Sequence, residues 1–142
     1  VDFRKNQVPV GLGVDGAASN EVGGLFGEMR QALYTARIRE ERADALMPKD
    51  VLDMGTAGGA QCLGTNNLGV IDVGSPADLV VWSGDDLGGI VDPITALILG
   101  PDRRAKHVFV AGRKRVEDGE LLGVDIRAAH KRLAERSKRL WD

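Results

Sequence analysis

The feature that most constrains this fold is an almost continuous apolar run at residues 8–14, which ends abruptly at Asp15-Gly16. A strand of this composition needs cover on both faces, as in a parallel sheet or a barrel. Pro9 cannot donate to a hydrogen-bond ladder, which disfavours a central antiparallel position. We therefore predict an interior strand from which Asp15 emerges. Its alternate apolar side chains are predicted to be largely buried: Val10, Leu12 and Val14.

Helical periodicity follows this strand. Apolar residues recur at spacings of three and four over residues 25–42, which predicts an amphipathic helix. A second helix is predicted over residues 48–58, because it would begin with a proline at a position where proline is tolerated. A short helical piece at residues 60–63 ends at a glycine. The first part of the chain is thus one strand followed by helices.

The pattern changes near residue 70, where short apolar runs alternate with turn signals. The runs at 77–82 and 107–110 predict two strands of a small sheet, and those at 115–116 and 120–122 would extend it. A closing helix is predicted over residues 125–140. This order of elements is unusual for one self-contained domain, but it is typical of the end of a barrel joined to a β-rich appendage.

Composition narrows the class of protein. The chain has 142 residues and a formal charge of −2, so it has no electrostatic attraction to nucleic acid as a whole. No apolar run reaches the length needed to cross a bilayer, so we expect no membrane partner. The one cysteine, Cys62, cannot form an internal disulfide, which favours a reducing, cytoplasmic compartment. We expect Cys62 to be a buried, inert thiol, since no histidine lies near it in the sequence.

The closing helix carries the one basic cluster of the chain. Binding of nucleic acid through it would depend steeply on salt. The cluster lacks the interleaved aromatic residues that stack on bases, and late positive charges complement a helix dipole. A solvated amphipathic helix is therefore favoured. The residues of the cluster are Arg127, Lys131, Arg132, Arg136, Lys138 and Arg139.

Two segments resemble the amidohydrolase superfamily, in the branch that contains guanine, 8-oxoguanine and triazine aminohydrolases and chlorohydrolases. The first, residues 8–20, runs from the apolar strand through Asp15 to Ser19-Asn20, and is followed by the helix that contains Glu28-Met29-Arg30. The second, residues 68–82, contains the sequence Gly-Ser-Pro-Ala-Asp-Leu-Val-Val-Trp. The turn at 108–112 also resembles the family's final strand, so the resemblance covers nearly the whole chain.

The resemblance implies an α/β fold. Residues 1–66 would be the last strand and helices of a (β/α)8 metal-dependent hydrolase barrel, which needs roughly 250 residues in full. Residues 67–124 would form a small β-rich domain of composite sandwich type, and residues 125–142 a C-terminal helix. The chain, which begins with valine, would then be cut from something longer.

The resemblance also implies an activity, hydrolytic deamination of a purine-like or triazine-like nitrogen heterocycle. One divalent metal, zinc or iron, would be held by a His-x-His pair on the first strand and by further histidines on middle strands. Those elements are absent from this sequence, so we expect the chain alone to bind no metal and to be inactive. Neither His107 nor His130 has a ligand partner at metal spacing.

The aspartate that ends the family's last strand corresponds to Asp15. The resemblance implies that its carboxylate ligates or adjoins the metal and accepts a proton from a metal-bound water. The alternative for Asp15 is an ordinary Asp-Gly turn. Ser19 and Asn20 would orient Asp15 or touch the substrate, and their alternative role is to cap the helix that follows.

A second function of another class is a non-catalytic binding or structural module built on an amidohydrolase remnant. The upstream reading frame would discriminate between the two. A frame that encodes the His-x-His pair favours a part of an enzyme, whereas a start codon just before Val1 favours a module.

We predict that this chain self-associates, because a strand intended for a closed barrel has lost its neighbours. Its unpaired edges and the inner face of the helix at 25–42 should adhere to a second copy. Sedimentation velocity at increasing concentration measures this. A single monomeric species at high concentration would contradict it.

Overall fold

The computed structural model describes residues 2–16, 18–20, 23–85 and 89–141. Within these ranges the chain forms six helices and four strands. In chain order they are α1 (Asp2–Lys5), α2 (Leu25–Glu40), α3 (Pro48–Gly55), α4 (Ala57–Cys62), β1 (Leu79–Val81), α5 (Pro93–Leu99), β2 (His107–Val110), β3 (Arg113–Glu117), β4 (Glu120–Leu121) and α6 (Ile126–Trp141). None of the helices in this described part has the length and apolar character required to traverse a bilayer.

Helices α2, α3 and α5 enclose the core. On α2 the buried residues recur at the spacing of one helical face, which confirms the periodicity predicted for residues 25–42. Leu33 of α2, Val51 of α3 and Ile98 of α5 are fully buried at the centre. The complete core cluster is Met29, Leu33, Ala36, Leu46, Val51, Met54 and Ile98.

The sequence predicted helical pieces at 48–58 and 60–63, and the structure places the break between them at Thr56 instead of near residue 59. Helix α3 ends at Gly55 and α4 begins at Ala57, with Thr56 between them in a conformation outside the helical region. The hydroxyl of Thr56 donates to the carbonyl oxygen of Leu52 at 2.7 Å. A threonine hydroxyl that bonds to a carbonyl one turn back tends to bend a helix, which accounts for the break.

Helix α5 was not predicted, although its signals are present. Asp92 is its N-cap and accepts a hydrogen bond from the backbone N–H of Thr95 at 2.8 Å, and Pro93 occupies the first turn. Its buried residues Ala96 and Ile98 pack in the region of α2 and α3. The division at residues 66 and 67 stays a prediction, and α5 is the element that would join the two parts.

The four strands form an antiparallel meander in the order β1-β2-β3-β4. Val80 pairs with Val108, Val108 with Val116, and Val116 with Leu121. The predicted sheet that contains residues 79–82 and 108–110 is therefore confirmed, except that its first strand ends at Val81. None of its strand residues is buried, so no second layer covers either face of this sheet within the described residues.

Two side chains of α2 connect it to its neighbours, one to the end of α5 and the other to the chain just after β1. Arg30 donates through Nε to the carbonyl oxygen of Ile98 at 2.5 Å and through Nη2 to that of Gly100 at 2.9 Å. Phe26 meets Trp82, just after β1, edge to face with ring centroids 5.5 Å apart. These contacts fix the position of α2 relative to both neighbouring elements.

The strand predicted at residues 8–14 is not formed, and this prediction was wrong for the chain by itself. The segment has no strand pairing, and one backbone hydrogen bond joins Leu12 N to the carbonyl oxygen of Met54 at 3.3 Å. Val10, Leu12 and Val14 are half-buried rather than largely buried. A ladder needs a neighbouring strand on at least one side, and the described residues offer none.

Backbone contact replaces the missing ladder. A Cβ atom at Gly58 of α4 would lie 2.4 Å from the carbonyl oxygen of Val10, and one at Gly11 would lie 2.9 Å from the Cα atom of Gly59. Both positions therefore need glycine, because any side chain would separate the segment from α4. Cys62, at the end of α4, is exposed, so the expectation of a buried thiol was wrong.

The closing helix α6 is confirmed and carries no buried residue. Leu133, Leu140 and Trp141 are exposed, so the apolar residues of this helix face solvent together with its basic ones.

We predict that Leu33→Ala lowers the free energy of unfolding by about 3 kcal/mol, because it removes packed atoms and leaves a cavity. The matched control is Ile38→Ala on the same helix, since Ile38 is 78% exposed and Leu33 0%. The control should change stability by less than about 0.5 kcal/mol. Urea unfolding followed by circular dichroism measures both, and equal effects would contradict the assigned core.

Candidate functional site

Asp15 lies at the end of the 8–14 segment with an exposed side chain. Its φ of 59° places it in the left-handed region, which aspartate tolerates better than most residues. Its Oδ1 atom accepts a hydrogen bond from the backbone N–H of Gly16 at 2.7 Å. One carboxylate oxygen is thus held by the local backbone. This geometry is compatible with both interpretations of Asp15, the turn and the ligand.

Two backbone hydrogen bonds after Asp15 share one acceptor. The backbone N–H groups of Ser19 and Asn20 both donate to the carbonyl oxygen of Gly16 at 2.9 Å. The residue that follows Asp15 is therefore tied to the backbone at positions 19 and 20. Ser19 is exposed and Asn20 is half-buried.

Asn20 connects this turn to α2. Its Nδ2 donates to Oε1 of Glu28 at 2.5 Å, and its Oδ1 accepts from the backbone N–H of Gly23 at 3.4 Å. Neither Ser19 nor Asn20 is the N-cap of α2, because Gly24 occupies that position. The capping alternative was therefore wrong for both residues.

Glu28 is the residue of this region that sequence reasoning missed. It lies in the first turn of α2, where an acidic residue is favoured by the helix dipole, so its presence suggested no further role. A usable signal was its place beside Met29, which is buried in the core. A half-buried carboxylate next to a core residue needs a hydrogen-bond donor.

Two open grooves adjoin the 8–14 segment. One, of about 470 Å³, contains Val8, Pro9 and Val10 in its wall together with residues of α3 and α4. The other, of about 350 Å³, lies beside Leu12, and its wall includes Glu28 and the small residues Ala32 and Ala36 of α2. Open space next to an apolar segment is what a barrel strand without its neighbours would show.

The carboxyl groups with shifted pKa values lie away from this loop. The Arg39 guanidinium, which hydrogen-bonds to the Asp2 carboxylate, lowers the pKa of Asp2. Desolvation of Asp50 opposes ionisation, but hydrogen bonds from the Met47 backbone and from Arg4 at 3.0 Å lower its pKa overall. These pairs anchor α1 to α2 and α3, and they have a structural role.

The described residues contain no group of three histidine, cysteine, aspartate or glutamate side chains able to hold a metal ion. His107 lies on β2, where its Nδ1 accepts from the backbone N–H of Asp118 at 3.4 Å, and His130 lies on α6. A catalytic metal needs about three protein ligands. The part of the chain that the structure describes therefore holds no complete centre of this kind.

Comparison with known proteins places these features in context. The sequence pattern of the amidohydrolase family matches residues 3–115. The chain is 40% identical over 130 residues to an 8-oxoguanine deaminase of Pseudomonas aeruginosa, which covers 90% of this chain and 29% of that protein. It is 34% identical over 137 residues to an isoxanthopterin deaminase of an unknown prokaryotic organism, which covers 84% of this chain and 28% of that protein.

Solved structures agree with the sequence matches. A zinc-bound structure described as an adenosine deaminase from Xanthomonas campestris superposes with a TM-score of 0.91 at 30% identity, covering 96% of this chain and 32% of that one. A zinc complex of an atrazine chlorohydrolase from Arthrobacter aurescens gives a TM-score of 0.87 at 32% identity, covering 94% and 31%. The chain thus spans about 30% of the length of the relatives that it matches.

Proposed function

Because this chain belongs to the amidohydrolase family, we propose that it supplies one part of the catalytic centre of a metal-dependent aminohydrolase. The proposed reaction is hydrolytic removal of an amino group from a purine-like or triazine-like nitrogen heterocycle. The observation that carries the proposal is the Asp15 carboxylate, exposed at the end of the 8–14 segment and fixed by the N–H of Gly16 at 2.7 Å. The names of the deaminase relatives support the substrate class.

The proposed architecture places Asp15 at the mouth of a barrel. In (β/α)8 enzymes the chemistry occurs at the C-terminal ends of the strands, where a side chain that follows a strand points into the site. The 8–14 segment would be the last of these strands once its neighbours are present, and α2 the helix that follows it. The small sheet β1–β4 would belong to the β-rich domain.

Asp15 would serve as a metal ligand and as the general base. A divalent metal, zinc or iron, would act as a Lewis acid when bound and would lower the pKa of a water molecule toward neutral pH. The Asp15 carboxylate would then accept a proton through Oδ2, since Oδ1 already accepts from Gly16 N. The hydrogen bond from Gly16 N to Oδ1 restrains the orientation of the carboxylate.

Ser19 and Asn20 would have different parts in this site. The exposed Ser19 has a hydroxyl that can touch a polar substrate edge. The amide of Asn20 is engaged at both ends within the chain, which favours its role in orienting the Asp15 loop over contact with the substrate. We also propose a cytoplasmic location, on the basis of the single exposed thiol of Cys62.

We predict that Asp15→Asn lowers turnover by roughly 10²-fold or more, the scale for loss of a general base. The test uses a hybrid in which this chain replaces the matching segment of the Pseudomonas aeruginosa 8-oxoguanine deaminase. The ammonia released from 8-oxoguanine gives kcat, and elemental analysis gives the zinc content. Zinc content should fall much less than kcat, because histidines of the remainder would carry most of the affinity.

The matched control is Asp72→Asn. Asp72 is exposed and its Oδ1 accepts from the next backbone N–H, that of Val73, at 2.7 Å, as Asp15 does from Gly16. The control should keep kcat, because Asp72 lies in a loop remote in sequence from the proposed site. Normal turnover of the Asp15→Asn hybrid would overturn the assignment of Asp15, and a folded, zinc-loaded hybrid without activity would overturn the proposed function.

A separate prediction concerns the chain by itself. One carboxylate leaves a divalent ion mostly hydrated, so the ion is neither held firmly nor able to acidify its water sufficiently. Zinc or iron added to this chain should therefore yield no ammonia from guanine, 8-oxoguanine, cytosine or aminotriazines. Ring deamination by the isolated chain would show that the metal centre is complete without further histidines, contrary to the proposal.

A further inference from the structure

We infer that Glu28 is a positioning residue for Asp15 and acts on it through Asn20. This inference rests on the proposed function of Asp15 and assigns to Glu28 a role in the same site. The juxtaposition that carries it is a continuous series of hydrogen bonds. It leads from the buried face of α2 to the loop that follows the proposed base.

The series begins in the core. Glu28 is fixed on α2 by its neighbours, because Met29 and Leu33 of the same helix are buried in the helical cluster. The side chain of Glu28 is half-buried and lines the groove beside Leu12. The backbone of Glu28 therefore has a position set by tertiary packing, unlike that of a residue on a solvated loop.

The next step is the bond between side chains. Nδ2 of Asn20 donates to Oε1 of Glu28 at 2.5 Å, across eight residues of sequence and in a partly buried setting. A hydrogen bond to an ionised acceptor is shorter and roughly twice as strong as one between neutral groups. This bond is therefore a strong restraint on Asn20, and the longer contact from Gly23 N at 3.4 Å adds to it.

The last step transmits the restraint to the backbone of Asp15. The N–H of Asn20 donates to the carbonyl oxygen of Gly16 at 2.9 Å, and Gly16 N in turn donates to Oδ1 of Asp15 at 2.7 Å. Asp15 itself occupies the left-handed region with a φ of 59°. Aspartate tolerates that region better than most residues but still at some cost, and the hydrogen bonds through Gly16 and Asn20 help to hold it there.

Charge gives the arrangement its specificity. Glutamine at position 28 still offers an oxygen that accepts from Asn20, but the acceptor is neutral and the bond weaker. Alanine removes the acceptor and frees the loop from α2. The two substitutions therefore separate the presence of the bond from its strength.

The test is a double-mutant cycle in the hybrid deaminase. Glu28→Ala is expected to lower kcat by about 10- to 100-fold, the scale of a small misplacement of a reacting group. KM and zinc content should stay at the level of the unsubstituted hybrid, which a general loss of structure would not allow. Glu28→Gln should retain most of the activity. Combined with Asp15→Asn, Glu28→Ala should cause no further loss, since both changes act on one group.

The matched control is Glu40→Ala. Glu40 is also a half-buried glutamate of α2, but it lies at the opposite end of the helix, 3.8 Å from the ammonium group of Lys5. Its replacement should leave kcat unchanged. Crystal structures of the variants give a readout that does not depend on activity. The contact between Gly16 N and Asp15 Oδ1 should be lost in the Glu28→Ala hybrid and kept in the Glu40→Ala hybrid.

The outcomes separate this inference from the proposed function. A slow Asp15→Asn hybrid together with a normal Glu28→Ala hybrid overturns the role of Glu28 and leaves that of Asp15 intact. Additive losses in the double variant also overturn it, because Glu28 would then act independently of Asp15. If Asp15→Asn has normal turnover, the proposed base is wrong, and the variant structures alone decide whether Glu28 fixes the loop.

Discussion

The guanidinium group of Arg30 is the interaction on which the rest of this structure depends. Its three nitrogens contact the carbonyl oxygens of Ile98 and Gly100 at the end of α5, and the Asp102 carboxylate at 2.8 Å. The last carbonyl groups of any helix lack partners within that helix, and the planar fork of an arginine can satisfy two of them at once. These contacts join α5 to α2 and fix the position from which the chain continues to β2.

This joint makes α2 the reference element of the molecule. Its buried face packs on α3 and α5, and its first turn carries both Phe26, which meets Trp82, and Glu28, which holds Asn20. One helix thus sets the position of the small sheet and of the proposed catalytic loop. A site on a loop needs such support, because loop side chains are otherwise poorly fixed.

The sequence was most informative where local chemistry decides the structure. The spacing of Met29, Leu33 and Ala36 predicts α2, and the apolar runs that contain Val80 and Val108 predict paired strands. It was least informative where a distant part of the chain decides. The composition of residues 8–14 is typical of a strand covered on both faces, but no strand in the described part of the chain pairs with it. Helix α5 was overlooked because its cap, Asp92, and its proline lie in a glycine-rich stretch that has the character of a loop.

The candidate site shows the same division. Asp15 follows from the resemblance in motif, and its left-handed φ could be anticipated only in part, from the Asp-Gly pair. The side-chain bond from Asn20 to Glu28 spans eight residues and depends on how a loop returns to its helix. The spacing of apolar residues in the sequence does not predict how this loop packs against its helix. The roles proposed for Ser19 and Asn20 therefore differ only because the structure shows different hydrogen-bond partners for the two residues.

The close approach of Gly16 N to the Asp15 side chain also affects the covalent durability of this position. The backbone nitrogen that donates to Oδ1 at 2.7 Å is the same nitrogen that, once deprotonated, attacks Cγ of the protonated carboxyl group and expels water to form a succinimide. The following glycine has no side chain to obstruct that ring closure. Hydrolysis of the ring gives isoaspartate, which inserts an extra backbone atom and displaces the carboxylate. In the Asp15→Asn variant the same cyclisation releases ammonia and regenerates an acidic side chain, so mass spectrometry of that protein belongs beside every measurement of its turnover.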